Sequence, residues 1–278
     1  MEINLGNERI VQLQATYSAE QIQERALAKR IDVFGQMAKL FQRPKPEDIE
    51  IAIVQKRFEP FWFAAATARY AYDRRHTYRV AVSPEVQAVT LYGKEHAVAQ
   101  ERNRAFEMEA VERCVEELRL ESTLDAVRGN EVDMRKYLEY PKNEVQEIAE
   151  LEKDGALVVP PEIRSSFVVR KLAAALMKTF HADRIHEERI DVQEITLFYR
   201  PLYAAEFYWK AKNKKQVVEL DALTGEMKAE GSEIKKRVTR VLENDALFDI
   251  GADTVGMVVP GANIAIKLGR HAVRKAVR

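Results

Sequence analysis

The densest grouping of residues able to ligate a metal or move a proton is His181, Asp183, His186, Glu187 and Glu188. Two imidazoles five residues apart lie roughly 140° apart around a helix, so they converge on one ion only from a loop. The segment therefore reads as a polar helix-to-strand connection. Nucleophile, nucleotide and metal signatures are missing: there is no G-x-S-x-G, no G-x-x-x-x-G-K-[ST], no G-x-G-x-x-G and no H-E-x-x-H. The expectation is no catalytic residue, no cofactor and no metal. What remains is recognition by charge and by aromatic surface.

Cations recur at two places that read as hairpin turns, Arg74 and Arg75 beside His76, and Lys212, Lys214 and Lys215. Two such turns related by a pseudo-twofold would bracket one anionic partner; alternatively they keep hairpin tips soluble and unpaired. Phe58, Phe61, Trp62, Tyr70 and Tyr72, and later Phe198, Tyr199, Tyr203, Tyr208 and Trp209, follow a period near two, which favours core packing over base stacking. A pocket between two sheets, lined by Trp62 and Trp209, is the small-ligand alternative.

The tail is more distinctive. Residues 254–266 carry no charge and are broken by Pro260-Gly261. Wound at 100° per residue, the stretch after Ile264 gathers Lys267, Arg270, His271, Arg274, Lys275 and Arg278 into a sector of roughly 140°. Such a basic amphipathic helix docks on its own fold, in an acidic groove of a protein partner, or on an anionic membrane surface. The uncharged run is too short to span a bilayer.

Composition bounds the class. At 278 residues, 46% hydrophobic and 32% charged, the chain is globular, and 44 basic against 44 acidic residues leave no global field for nucleic acid or anionic lipid. One cysteine, Cys114, excludes an internal disulfide. The N-terminus reads as no signal peptide, so a cytoplasmic address is expected, with peripheral contact at the inner membrane surface as the tail's alternative.

The elements that would position these residues repeat. A helical stripe through Met37, Leu40 and Phe41, a strand 49–54 and the aromatic-flanked Pro60 match Leu176 and Phe180, a strand from 190 to 199 and Pro201, at a near-constant offset, with Val82 matched to Leu220. Between the copies, residues 94–155 are rich in glutamate, arginine and alanine and read as helices, packed across two sheets or forming a dimerisation arm. The expected fold class is α+β: two related helix-plus-antiparallel-sheet units (1–93 and 161–244), a helical insertion (94–160), and a C-terminal apolar and basic tail (245–278).

The closing hairpin of the second copy, with Asp221, Thr224, Gly225 and Glu226, resembles the end of a PepSY-type module, in which a strand runs into D-x-x-T-G-E/K. The first copy departs from it, with Ser83-Pro84-Glu85 at its expected turn. The resemblance implies a noncatalytic binding or inhibitory module. The functional expectation is an intracellular adaptor or regulatory protein that binds a protein partner or a second copy through Arg74, Arg75, Lys212, Lys214 and Lys215 and through Lys267, Arg270, Arg274, Lys275 and Arg278.

Overall fold

The computed structural model describes residues 1–35, 40–99, 104–152 and 155–229, and the backbone of 265–268. The chain is mostly β, built on one large mixed sheet, which overturns the expected α+β arrangement of two separate helix-plus-sheet units. Its centre is two very long strands, β2 (Ile49–Ala81) and β8 (Arg184–Trp209), paired antiparallel from Ile49↔Trp209 to Asp73↔Arg184. Beyond β8 lie β1 (Glu2–Leu13), running parallel to it, and β9 (Lys214–Asp221), followed by β10 (Met227–Ala229). Beyond β2 lie β7 (Leu157–Val158) and β5 (Ala105–Asp125).

Alternation dictates the two faces. Phe58, Trp62, Ala64, Ala66, Ala68, Tyr70 and Tyr72 of β2 are buried on one face with Ile190, Val192, Ile195 and Leu197 of β8. The three alanines leave a trough for helix α2 (Ser165–Leu176), which buries Val168, Val169, Leu172, Ala173 and Leu176 there. Aromatic donors fix both ends of this helix. Trp62 Nε1 donates to the Ile163 carbonyl at 2.8 Å, and Tyr70 Oη donates to the Leu176 carbonyl at 2.8 Å, satisfying one of the last-turn acceptors. At the other end of the sheet, helix α1 (Ala19–Ala28) starts from the Ser18–Gln21 capping box and buries Ile22 and Ala26 against Tyr203, Phe207 and Leu220. Gly6 is demanded by close approach, since a Cβ there would lie 2.5 Å from the Gln193 carbonyl oxygen.

Several expectations fail for identifiable reasons. The stretch expected as a helical insertion contains β5, a strand of 21 residues; pairing with β2 outweighs the helix propensity of its Glu, Arg and Leu. Helix α1 ends at Ala28, short of the expected helical stripe, and Leu40 and Phe41 of that stripe are exposed rather than core. Among the described residues no cleft between two sheets is lined by Trp62 and Trp209, because β2 and β8, which carry them, are neighbours in one sheet. Trp62 packs under α2, and Trp209 packs on Phe34 with ring centroids 5.3 Å apart. In the tail, expected as a helix, Ala265–Leu268 forms strand β11 parallel to β1, and the residues around it lie outside those described.

A repeat is present, but its copies interleave within the sheet. Glu59 faces Arg200 across the central ladder, with Phe58↔Pro201 and Pro60↔Tyr199 beside it, so a pseudo-twofold passes through this point. Each long strand then gains an antiparallel partner, β2 from Phe61↔Asp125 and β8 from Leu202↔Asp221. Both partners end in Leu-Asp-Ala-x-x-Gly, at 124–129 and 220–225. Asp125 Oδ1 accepts from the amides of Val127 (2.8 Å) and Arg128 (3.0 Å), and Asp221 Oδ1 accepts from those of Leu223 (2.8 Å) and Thr224 (3.2 Å). Gly129 and Gly225 both take φ above 70°. The Ala126 carbonyl accepts the amides of Glu162 and Ile163 ahead of α2, and the Ala222 carbonyl those of Thr16 and Tyr17 ahead of α1. The equivalent of the second hairpin turn is thus Asp125 to Gly129, not Ser83-Pro84-Glu85, and Leu220 corresponds to Leu124, not Val82.

Candidate functional site

The copies differ most in their hairpins. The second is closed by a short turn at Asn213, whereas the first runs out along β2 and returns along β5. The last β8 partner of β2 is Arg184, at Asp73. Beyond it, among the described residues, 74–81 pair only with residues 105–112 of β5, a two-stranded arm that rises about 27 Å at 3.4 Å per residue. At its end a second hairpin, β3 (Ala88–Leu91) and β4 (Lys94–Ala97), sits on a small core of Val98, Ala105 and Phe106. His96 anchors that hairpin, with Nδ1 3.0 Å from the Glu107 carbonyl oxygen and its ring 5.7 Å from that of Phe106.

Tyr92 and Gly93 close the β3–β4 hairpin as a two-residue turn, both with positive φ, 49° and 78°. Such turns favour Asn-Gly or Asp-Gly, because a left-handed backbone is costly for a residue with a large side chain. Tyr92 accepts that conformation while its ring is wholly exposed. Burial of the ring does not offset that strain.

The root of the arm is held by charge. Glu112 accepts from Tyr78 Oη and from Arg74 Nε, and these two bonds hold its carboxyl below the usual glutamate range. Glu116 accepts from Lys178 Nζ and from Tyr72 Oη (2.8 Å), is lowered by them, and in return pushes the Tyr72 phenol up to about 12. On the adjoining strand, Asp73 is lowered by Arg113 and by His186, whose Nε2 lies 2.7 Å away.

The histidine and acid cluster read from the sequence is dispersed. His186 bonds Asp73, Asp183 accepts the Arg75 amide, Glu187 bonds Arg69 and Arg189, and among the described residues no three His, Cys, Asp or Glu side chains meet to hold a metal. Arg74 and Arg75 lie within β2, not in a turn. Lys212, Lys214 and Lys215 lie at the opposite end of β8, whose 26 residues put the two groups on the order of 80 Å apart along the strand. They do not bracket one partner. Lys215 is paired with Glu206 at 2.7 Å. Lys267 is on β11, whereas Arg270, Arg274, Lys275 and Arg278 lie outside the described residues.

Sequence reasoning also missed a buried charge cluster at the pseudo-twofold. Arg57, 1% exposed, bonds Glu59 (2.8 Å) and Glu219, while Arg200 bonds Glu59 (2.9 Å), approaches Asp221 (3.5 Å) and donates to Tyr137 Oη at 3.2 Å. Burial, then the bond to Asp221, drives the Tyr137 phenol well above its ordinary range. The cluster lies beside the Phe61–Phe198 stack, whose centroids are 5.2 Å apart, under the segment carrying Tyr137. A buried, mutually neutralising set of this kind joins the two copies at their axis. Two surface depressions, one beside Glu24, Arg30 and Pro46 and one beside Asp133 and Arg135, are open to solvent. Among the described residues no helix is long and apolar enough to cross a membrane. No family model, curated protein or solved structure matches the chain.

Proposed function

We propose that the chain is a noncatalytic adaptor or regulatory protein whose working surface is the arm, with Tyr92 at its tip as the anchor for a protein partner. Support comes from one contrast: the repeat supplies two copies of the same sheet scaffold, and only the first extends its hairpin into a projecting arm that ends in a strained, fully exposed tyrosine. Loops and extensions carried by a rigid scaffold are where recognition concentrates, and tyrosine is enriched among residues that dominate binding energy. The PepSY-like turn at Asp221, Thr224, Gly225 and Glu226 fits the same reading, a noncatalytic binding module. The cationic tail is a second contact for that partner.

Replacing Tyr92 with asparagine tests this. Asparagine suits the turn better, so thermal stability should hold or rise, while affinity for a partner isolated with the wild-type chain should fall by at least tenfold, about 1.4 kcal/mol. Unchanged affinity removes the tip from the interface.

A further inference from the structure

We propose that two copies of this chain associate through the outer edge of β5, in antiparallel register about Val115, and that this pairing is independent of the adaptor reading. In β5 the odd-numbered residues direct their backbone groups away from β2, as the outer bonds at its two ends show. The Glu107 carbonyl meets His96, and the Thr123 carbonyl accepts the Val132 amide. Between these ends, residues 109–121 have no strand partner among the described residues on that edge. A long open edge is a template for another strand, and proteins that leave one unused blunt it with a bulge, a proline, a short span or charged side chains. No bulge or proline interrupts β5 here, its ladder with β2 is unbroken, and its charges are of both signs, Arg113 and Arg119 among glutamates, so a partner strand can meet them with opposite charge.

The two covered ends fix the register. The open window is centred on Val115, so an isologous pairing that uses all of it places Val115 against its twofold mate. Arg113 then faces Glu117 of the second copy, twice, and Val111 faces Arg119. Val111 and Val115 are 66% and 54% exposed on the same side of the strand, and Val115 meets its mate in this register. Glu109 would face Glu121 at the margins, ending the ladder there. Moving the centre by two residues to Arg113 or by four to Val111 leaves part of the edge unpaired; the former sets Val111 against Val115 but opposes Arg113 to itself and Glu109 to Glu117. The occupant is therefore a second copy of the same strand.

Cross-linking reads the register directly. With Cys114 replaced by serine, Val115→Cys should give a covalent dimer on mild oxidation in high yield, whereas Val111→Cys, placed opposite Arg119, should give little. The full chain should sediment as a dimer at tens of micromolar, and Val115→Pro should make it a monomer; the Val115 amide points outward, so no bond to β2 is lost. Val115→Lys, which keeps the amide, should do the same if the proline variant folds poorly. A wild-type monomer at that concentration overturns the proposal, as does equal cross-linking at positions 111 and 115. Tyr92→Asn should leave the dimer intact, so failure here and failure of the tip as an anchor are separate results.

Discussion

Removing the Arg200 guanidinium by substitution with methionine tests the claim that the two copies are joined by charge at their axis. Arg200 lies 2.9 Å from Glu59 and 3.5 Å from Asp221, and the three side chains are 16%, 12% and 9% exposed. A pair of unit charges at about 4 Å interacts by about 4 kcal/mol at an effective dielectric of 20. Breaking a buried pair by deleting one member costs about 3–5 kcal/mol, because the partner charge remains in a poorly solvated site. Glu59 keeps Arg57 and Asp221 keeps the Leu223 and Thr224 amides, so the low end, about 3 kcal/mol, is expected. In urea unfolding this appears as a lower midpoint at unchanged slope, and in calorimetry as a melting temperature lower by on the order of 10 °C. The exposed Arg119–Glu121 pair supplies the control, with Arg119→Met costing under about 1 kcal/mol. Exchanging the charges by Glu59→Arg together with Arg200→Glu should not restore stability, since the arginine introduced at 59 would face Arg57 and the glutamate introduced at 200 would face Asp221. An Arg200→Met cost no larger than the Arg119→Met cost, or full recovery in the exchange variant, would refute the reasoning.

The repeated turn makes a paired prediction: Asp125→Ala and Asp221→Ala should each destabilise by about 1–2 kcal/mol by leaving two amide donors without their acceptor, with Asp221→Ala the costlier because it also strips a partner from Arg200 and Tyr137; urea midpoints rank them. Acid should loosen the root of the arm. Glu112 and Glu116 are held below the ordinary glutamate value of 4.5, so their contribution is full above that pH and is lost as pH falls below it through their folded values. Amide protection in residues 74–81 and 105–112, taken relative to the intrinsic exchange rate at each pH, should therefore fall below about pH 4.5 before protection in β8 does, and Glu112→Gln should flatten that pH dependence.

The sequence showed the strands of the second copy and the matched prolines, because Pro60 and Pro201 with their aromatic neighbours are local features that survive in the fold. It concealed β5. Residues 113–121 alternate strictly in exposure, yet Glu, Arg and Leu are good helix formers and Leu118 and Leu120 fit a helical stripe as well as a pleated one. The decisive influence, pairing with β2 across a gap in sequence, leaves no local mark. The repeated turn was legible as Leu124-Asp125-Ala126 against Leu220-Asp221-Ala222, but the extended arm shifts its offset away from that of the prolines. The buried cluster gave no signal, since Arg57, Glu59, Arg200, Glu219 and Asp221 look like ordinary surface charges until the ladder sets them side by side.

Trimming the arm tests the central claim most directly. Residues 75–111 can be replaced by Asn-Gly between Arg74 and Glu112, a pair that faces across the ladder and so accepts a two-residue turn. The measurement is quantitative capture of cellular partners by the trimmed and the full chain, with both melting curves recorded. The account predicts that the trimmed chain retains the cooperative melting of the sheet, with Phe61, Trp62 and their cores undisturbed, and loses partner capture. Capture retained in full by the trimmed chain would contradict it and move the function to the sheet or the tail.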